Sequence, residues 1–127
     1  MLRVSGGRVG WRLGDMPVLR LTTTGRMTGR QHSVMLTSPL QIDATFVVVA
    51  SRGGDDHHPA WFLNLRDQPD VEVSVCGRPP VTMRARIARP DERATMWTQV
   101  TAAHKNYADY QNKTDREIPL VLLEPAT

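Results

Sequence analysis

The sequence holds little with which to staple, span or chelate. A single cysteine, Cys76, in 127 residues excludes an internal disulfide. It falls in the alternating run Val71-Glu72-Val73-Ser74-Val75-Cys76, where a packed strand residue is expected rather than a nucleophile. No apolar run approaches the roughly 18 residues that a membrane-crossing helix needs. Residues 1–14 lack the continuous apolar stretch of a secretory signal, so a cytoplasmic location is expected. Aromatic residues make up only 6% of the chain, and lysine supplies only two of the sixteen basic residues. With a net charge of +3 dispersed along the chain, few aromatic residues to stack on bases, and no nucleic-acid motif, no nucleic-acid partner is expected.

What is present is a soluble single-domain composition, with 40% hydrophobic and 23% charged residues. Arginine dominates the basic side. Its planar, always charged fork suits bidentate contact with phosphate or carboxylate oxygens. Two of the fourteen arginines stand in the densest motif, Leu21-Thr22-Thr23-Thr24-Gly25-Arg26-Met27-Thr28-Gly29-Arg30. Here a strand runs into a turn where glycines allow close backbone approach and threonine hydroxyls add donors.

Strand signals recur along the chain. Residues 17–24 and 31–38 read as a hairpin around that turn, with 41–44 as a further turn. Thr45–Ser51 is continuously apolar and β-branched, as a strand buried on both faces would be. Val71, Val73 and Val75 alternate, as do Val81, Met83, Ala85 and Ile87, with Gly77-Arg78-Pro79-Pro80 as the turn between them. Residues 118–124 close the series. Pro59 opens a short helix carrying Trp61 and Leu65 at i, i+4. Pro90-Asp91-Glu92 opens a longer one reaching about His104, with Ala94, Trp97 and Val100 at helical spacing. The fold expected is mainly β with inserted helices (α+β), about six antiparallel strands closing into a small barrel that hides its edges. Residues 1–16 form a short N-terminal segment, and 17–125 form one domain.

Taken in order, Leu21-Thr22-Thr23-Thr24-Gly25-Arg26 with Thr28-Gly29, Val48-Val49-Ala50-Ser51-Arg52-Gly53-Gly54, and His58-Pro59-Ala60-Trp61-Phe62-Leu63-Asn64-Leu65 carry a family likeness. So do Tyr107-Ala108-Asp109-Tyr110-Gln111 and the run from Ile118 to Pro125. The chain resembles the deazaflavin-dependent nitroreductase family of actinobacteria from about Pro17 to Pro125. The resemblance implies a split β-barrel of the FMN-binding type. It also implies coenzyme F420 as cofactor, and hydride transfer to a quinone, an activated enone or a nitroaromatic compound. By the same resemblance Arg26, Thr28, Gly29, Arg30 and His32 hold the phosphate and tail carboxylates. Ala50, Ser51, Arg52, Gly53 and Gly54 face the ring edge, and Trp61 and Asn64 close the pocket.

Tyr107, Tyr110 and Ser51 border the acceptor in this reading, with a tyrosine hydroxyl orienting it or donating a proton. The chain departs from relatives at Met27 and Arg52, where lysine is common, and at His32, where arginine is common. The first and last of these changes imply a weaker grip on the tail. Relatives also tend to carry more residues before the first strand, which implies a more open acceptor groove here, or one completed by a second chain. Two alternatives stay open: FMN as cofactor in the same barrel, and a non-catalytic F420-binding protein. Asp55-Asp56-His57-His58 offers metal-ligand types, but consecutive loop side chains diverge and no complementary cluster accompanies them, so no metal is expected. The partner expected is a small-molecule electron acceptor. At most peripheral membrane contact is expected, by a monomer or homodimer.

Overall fold

The computed structural model describes residues 12–13, 16–51 and 57–126. The frame is an antiparallel ladder. β1 (Arg12–Leu13) pairs with the start of β2 (Met16–Thr24), and β2 is flanked by β3 (Gln31–Thr37) and β6 (Asp70–Val75). From β6 the ladder continues through β7 (Val81–Ile87), β8 (Leu120–Pro125) and β5 (Thr45–Val49) to β4 (Leu40–Ile42).

β3 and β4 are two halves of one bent strand, the first paired with β2 and the second with β5, so the ladder returns on itself. The corner is Ser38-Pro39. Pro39 has no N–H to give a ladder, and the buried Ser38 hydroxyl is shared between the carbonyls of Leu40 and Val47 at 2.9 and 2.8 Å. This split β-barrel has eight strands among the described residues rather than about six, because residues 40–42 pair ahead of the turn at Asp43 (φ 56°) and Arg12–Leu13 adds a short edge.

Alternation places two cores on opposite faces of the same strands. Leu19, Leu21, Val48, Val73, Val121 and Leu123 fill the barrel beneath Phe62 and Leu65 of α1 (Ala60–Asp67). Val47, Leu120 and Leu122 face outward under Met96 of α2 (Pro90–Ala103). The continuous apolar run of β5 is thus used on both faces. Truncating one of the fully buried leucines to alanine costs about 2–5 kcal/mol by the usual cavity effect.

Several expectations need correction. Cys76 is not a strand residue. It sits at φ 52° beside Gly77 at φ 76°, in the tight turn closed by the Arg78 N–H to Val75 carbonyl bond of 3.0 Å. Val81 and Ile87 are exposed while Met83 and Ala85 are buried, because the ends of β7 run past the core. On α2 the buried residues are Met96 and Val100; Ala94 is exposed, and Trp97 lies half-buried with the Arg93 guanidinium 4.6 Å from its ring centre. Residues 105–112, read only as a polar aromatic segment with a helical turn, form the helix α3.

Candidate functional site

The turn after β2 is tightly closed by backbone hydrogen bonds. The Gly25 N–H donates to the Arg30 carbonyl at 2.7 Å, and the Gly29 N–H donates to the Gly25 carbonyl at 2.9 Å. Gly29 sits at φ 74°, where a side chain would be strained. A Cβ on Gly25 would lie 2.9 Å from Nε2 of His32 and 3.0 Å from the Thr28 hydroxyl, so only glycine lets the imidazole and hydroxyl close over the turn.

α1 supplies the opposite wall. The buried Asn64 amide accepts from the Arg26 guanidinium at 2.8 Å and from the Arg26 N–H at 3.3 Å, while its Nδ2 donates to the Thr23 hydroxyl at 3.2 Å. Arg26 is therefore fixed by a neutral partner, which orients its charge without cancelling it. The resulting cleft holds about 360 Å³ and is lined by Thr23, Gly25, Arg26, Met27, Thr28, His32, Ser33, Val34, Ala60, Trp61 and Asn64, none of them a carboxylate. Met27, 87% exposed, marks its rim. Gly29 and Arg30 shape the turn from outside the lining, with the Arg30 N–H donating to the Thr28 hydroxyl at 3.2 Å.

Trp61 is also a wall of a second cleft, of about 350 Å³, between β3, the end of β5 and α3. Ser51, Tyr107 and Tyr110 meet there, together with Thr37, Val49 and Asn106. The two tyrosine rings stand edge to face, 5.9 Å apart, and His104 packs edgewise on Tyr107. Burial raises the pKa of the Tyr107 phenol; its hydrogen bond to the Thr37 side chain opposes the rise and nearby Tyr110 adds to it. The group is thus a protonated donor throughout the neutral range. Lys113 lies 5.8 Å from the Tyr110 ring centre.

Ala50 does not line either cleft. It is fully buried, its N–H donates to the Pro119 carbonyl at 3.0 Å, and its carbonyl accepts from Arg116 at 3.2 Å. Arg52, Gly53 and Gly54 lie outside the described residues, as do Asp55 and Asp56.

Arg116, just before β8, is a residue that sequence reasoning missed. Its guanidinium reaches the Ser51 carbonyl at 3.0 Å and Nδ1 of His58 at 3.0 Å. Gln111 holds the connecting loop: its Nε2 donates to the Arg116 carbonyl at 2.7 Å, and its Oε1 accepts from the Ile118 N–H at 2.9 Å and from Arg93 at 3.2 Å. No local pattern in residues 113–117 announces this role.

Comparison with known proteins gives a consistent result. The family model described as F420H(2)-dependent quinone reductase matches residues 1–125. An F420H(2)-dependent quinone reductase of Mycobacterium tuberculosis (strain H37Rv) is 38% identical over 125 residues, covering 95% of this chain and 83% of the relative. A solved structure of an F420-H2 dependent reductase, FDR-A, superimposes with a TM-score of 0.73 at 35% identity, over 85% of this chain and 94% of that one. Another solved structure, described as a domain-swapped dimer, gives the same TM-score and identity over 97% of this chain and 88% of its own.

Proposed function

Because this chain belongs to the F420H(2)-dependent quinone reductase family, we propose that it reduces a quinone, an activated enone or a nitroaromatic compound with hydride from reduced F420, using both clefts. The observation that carries this reading is the shared wall, Trp61, between a cationic cleft and a tyrosine-lined one. The residues present fit the cofactor. Arg26, Thr28 and His32, around a glycine turn that a Cβ would block, offer donors and no carboxylate to its phosphate and tail. Trp61 and Ser51, which line the second cleft, would hold its ring.

When bound in reduced form, the deazaflavin supplies the hydride. The protein's part is to orient and to manage charge. An acceptor that takes two electrons and a hydrogen nucleus at one atom gains negative charge on its oxygen. The Tyr107 hydroxyl, kept protonated by burial, is a donor for that oxygen, and Tyr110 stands across from it. Trp61, Leu36 and Val49 give the second cleft an apolar wall against which an acceptor ring can pack.

The chain works as a monomer or homodimer in the cytoplasm, touching membranes at most peripherally through its net charge of +3. The test of the activity is steady-state oxidation of reduced F420 with a panel of quinones, enones and nitroaromatics, and with reduced FMN in parallel. Turnover with F420 and at least one acceptor class is expected. Activity confined to FMN, or saturable F420 binding without turnover of any acceptor, would overturn the reading.

A further inference from the structure

Arg116 ties together the exit of β5 and the approach to α1, both lying 58 to 66 positions before it in the chain. Its Nη1 bonds the Ala50 carbonyl at 3.2 Å and Nδ1 of His58 at 3.0 Å, and its Nη2 bonds the Ser51 carbonyl at 3.0 Å. A guanidinium only donates, so Nδ1 of His58 is the acceptor; the ring is uncharged, with its proton on Nε2. The trans peptide then turns the Ser51 N–H to the side opposite the Ala50 carbonyl, away from Arg116. Both held segments lead into the site. Ser51 and Pro59 line the tyrosine cleft, and Pro59 opens the helix that carries Trp61 and Asn64.

We infer that Arg116 is a positioning residue that locks the exit of β5 to the start of α1 through uncharged His58, so that cofactor affinity follows the protonation of that histidine. The inference rests on the F420 reading above. A proton on Nδ1 would set N–H against N–H and place a second cation 3.0 Å from the first, so the lock opens in acid. The charged groups facing His58 among the described residues are Arg116 and Arg66, and the Phe62 ring packs on it at 4.7 Å. Burial first, then Arg116 and Arg66, lower the His58 pKa. The uncharged ring, and the stability it brings, are therefore fully present above the ordinary imidazole range of about 6.5 and are lost as pH falls through the lower folded value.

The test is F420 titration by tryptophan fluorescence from about pH 5 to about pH 8 on the full chain. His58→Asn keeps an acceptor near Nδ1 and cannot titrate. It should bind as the wild type does at neutral pH and lose less affinity in acid; the difference between the two curves isolates His58 from His32. Arg116→Gln should bind about tenfold more weakly at neutral pH, with Arg116→Lys between the two. Equal pH dependence in wild type and His58→Asn, or unchanged affinity in folded Arg116→Gln, would overturn the inference.

Nitrogen-15 NMR of His58 in the cofactor-free protein gives a second readout. An Nε2–H tautomer titrating below about 6.5 is expected, with a midpoint that rises in Arg116→Gln. An Nδ1–H tautomer or an unmoved midpoint contradicts the lock. If the wild type binds no F420, the cofactor reading fails and the NMR result alone decides the lock.

Discussion

The two clefts on either side of Trp61 are nearly equal in size, about 360 and 350 Å³, yet they are built in opposite ways. The cationic cleft draws eight of its eleven lining residues from one stretch, Thr23 to Val34, and α1 adds a wall. The tyrosine cleft draws on β2, β3, the exit of β5, the start of α1, and α3, so its ten lining residues arrive from five separate stretches of the chain. Local chemistry makes the first; the closure of the barrel makes the second. The difference predicts that changes in one cleft separate cleanly from changes in the other.

The largest effect should come from Arg26→Gln. It removes a fixed charge that Asn64 orients but does not neutralise. Loss of charge-assisted bonds worth about 1.5–3 kcal/mol corresponds to a rise in F420 Kd of roughly 10- to 100-fold. The acceptor KM should stay within about twofold at saturating cofactor. The comparison breaks if both constants move together.

The converse variant, Tyr107→Phe with Tyr110→Phe, should lower kcat by about 10- to 100-fold with quinones while leaving F420 affinity intact. Its pH profile carries a further sign. Burial raises the Tyr107 pKa, so the wild type should keep its donor as the solution passes the ordinary phenol value of about 10. A fall in rate on raising the pH, at saturating cofactor and centred at or below neutrality, would assign the proton to another group.

Asn64→Asp sharpens the comparison from within the cationic cleft. The side chain keeps its shape, but its carboxylate pairs with Arg26 and competes with any anion. We expect F420 Kd to rise by about tenfold with the fold intact by circular dichroism. An affinity equal to the wild type would show that the charge on Arg26 is not what the ligand meets.

The smallest effect lies away from both clefts. Arg86 grips Glu92 at 2.7 and 3.1 Å, and the Arg89 N–H donates to the same carboxylate at 2.9 Å, holding its pKa down at about 2. A carboxylate depressed in the folded state stabilises above its unfolded value of about 4.3 and loses that contribution as pH falls through the folded one. The Tm gap between wild type and Glu92→Gln should therefore be widest near neutrality and shrink towards about pH 2, with cofactor affinity unchanged. A gap that stays constant with pH would assign the effect to packing.

The same contrast explains what the sequence made legible. The β2–β3 turn was legible because its glycines, threonines and arginines stand within ten positions of one another; of the residues expected to line a cleft there, Arg26, Thr28 and His32 do, whereas Gly29 and Arg30 do not. β5 was readable because burial on two faces demands an unbroken apolar run, and Val47 and Val48 do face different cores. β4 was hidden because three residues after a proline corner carry no period. Cys76 misled because it extends an alternating run, and only the left-handed turn with Gly77 shows that the strand has already ended. The Tyr107–Tyr110 spacing was visible, but their meeting with Ser51 depends on pairing across the sheet. Arg116 was beyond reach for the same reason: its partners are 58 to 66 positions away.

The most direct test of the two-cleft account is one titration series, following tryptophan fluorescence as oxidised F420 is added to wild type, Arg26→Gln and the Tyr107/Tyr110 double phenylalanine variant. The account predicts saturable quenching in the wild type, weakening of at least tenfold in Arg26→Gln, and no change beyond about twofold in the tyrosine variant. Equal weakening in both variants, or none in either, would contradict it.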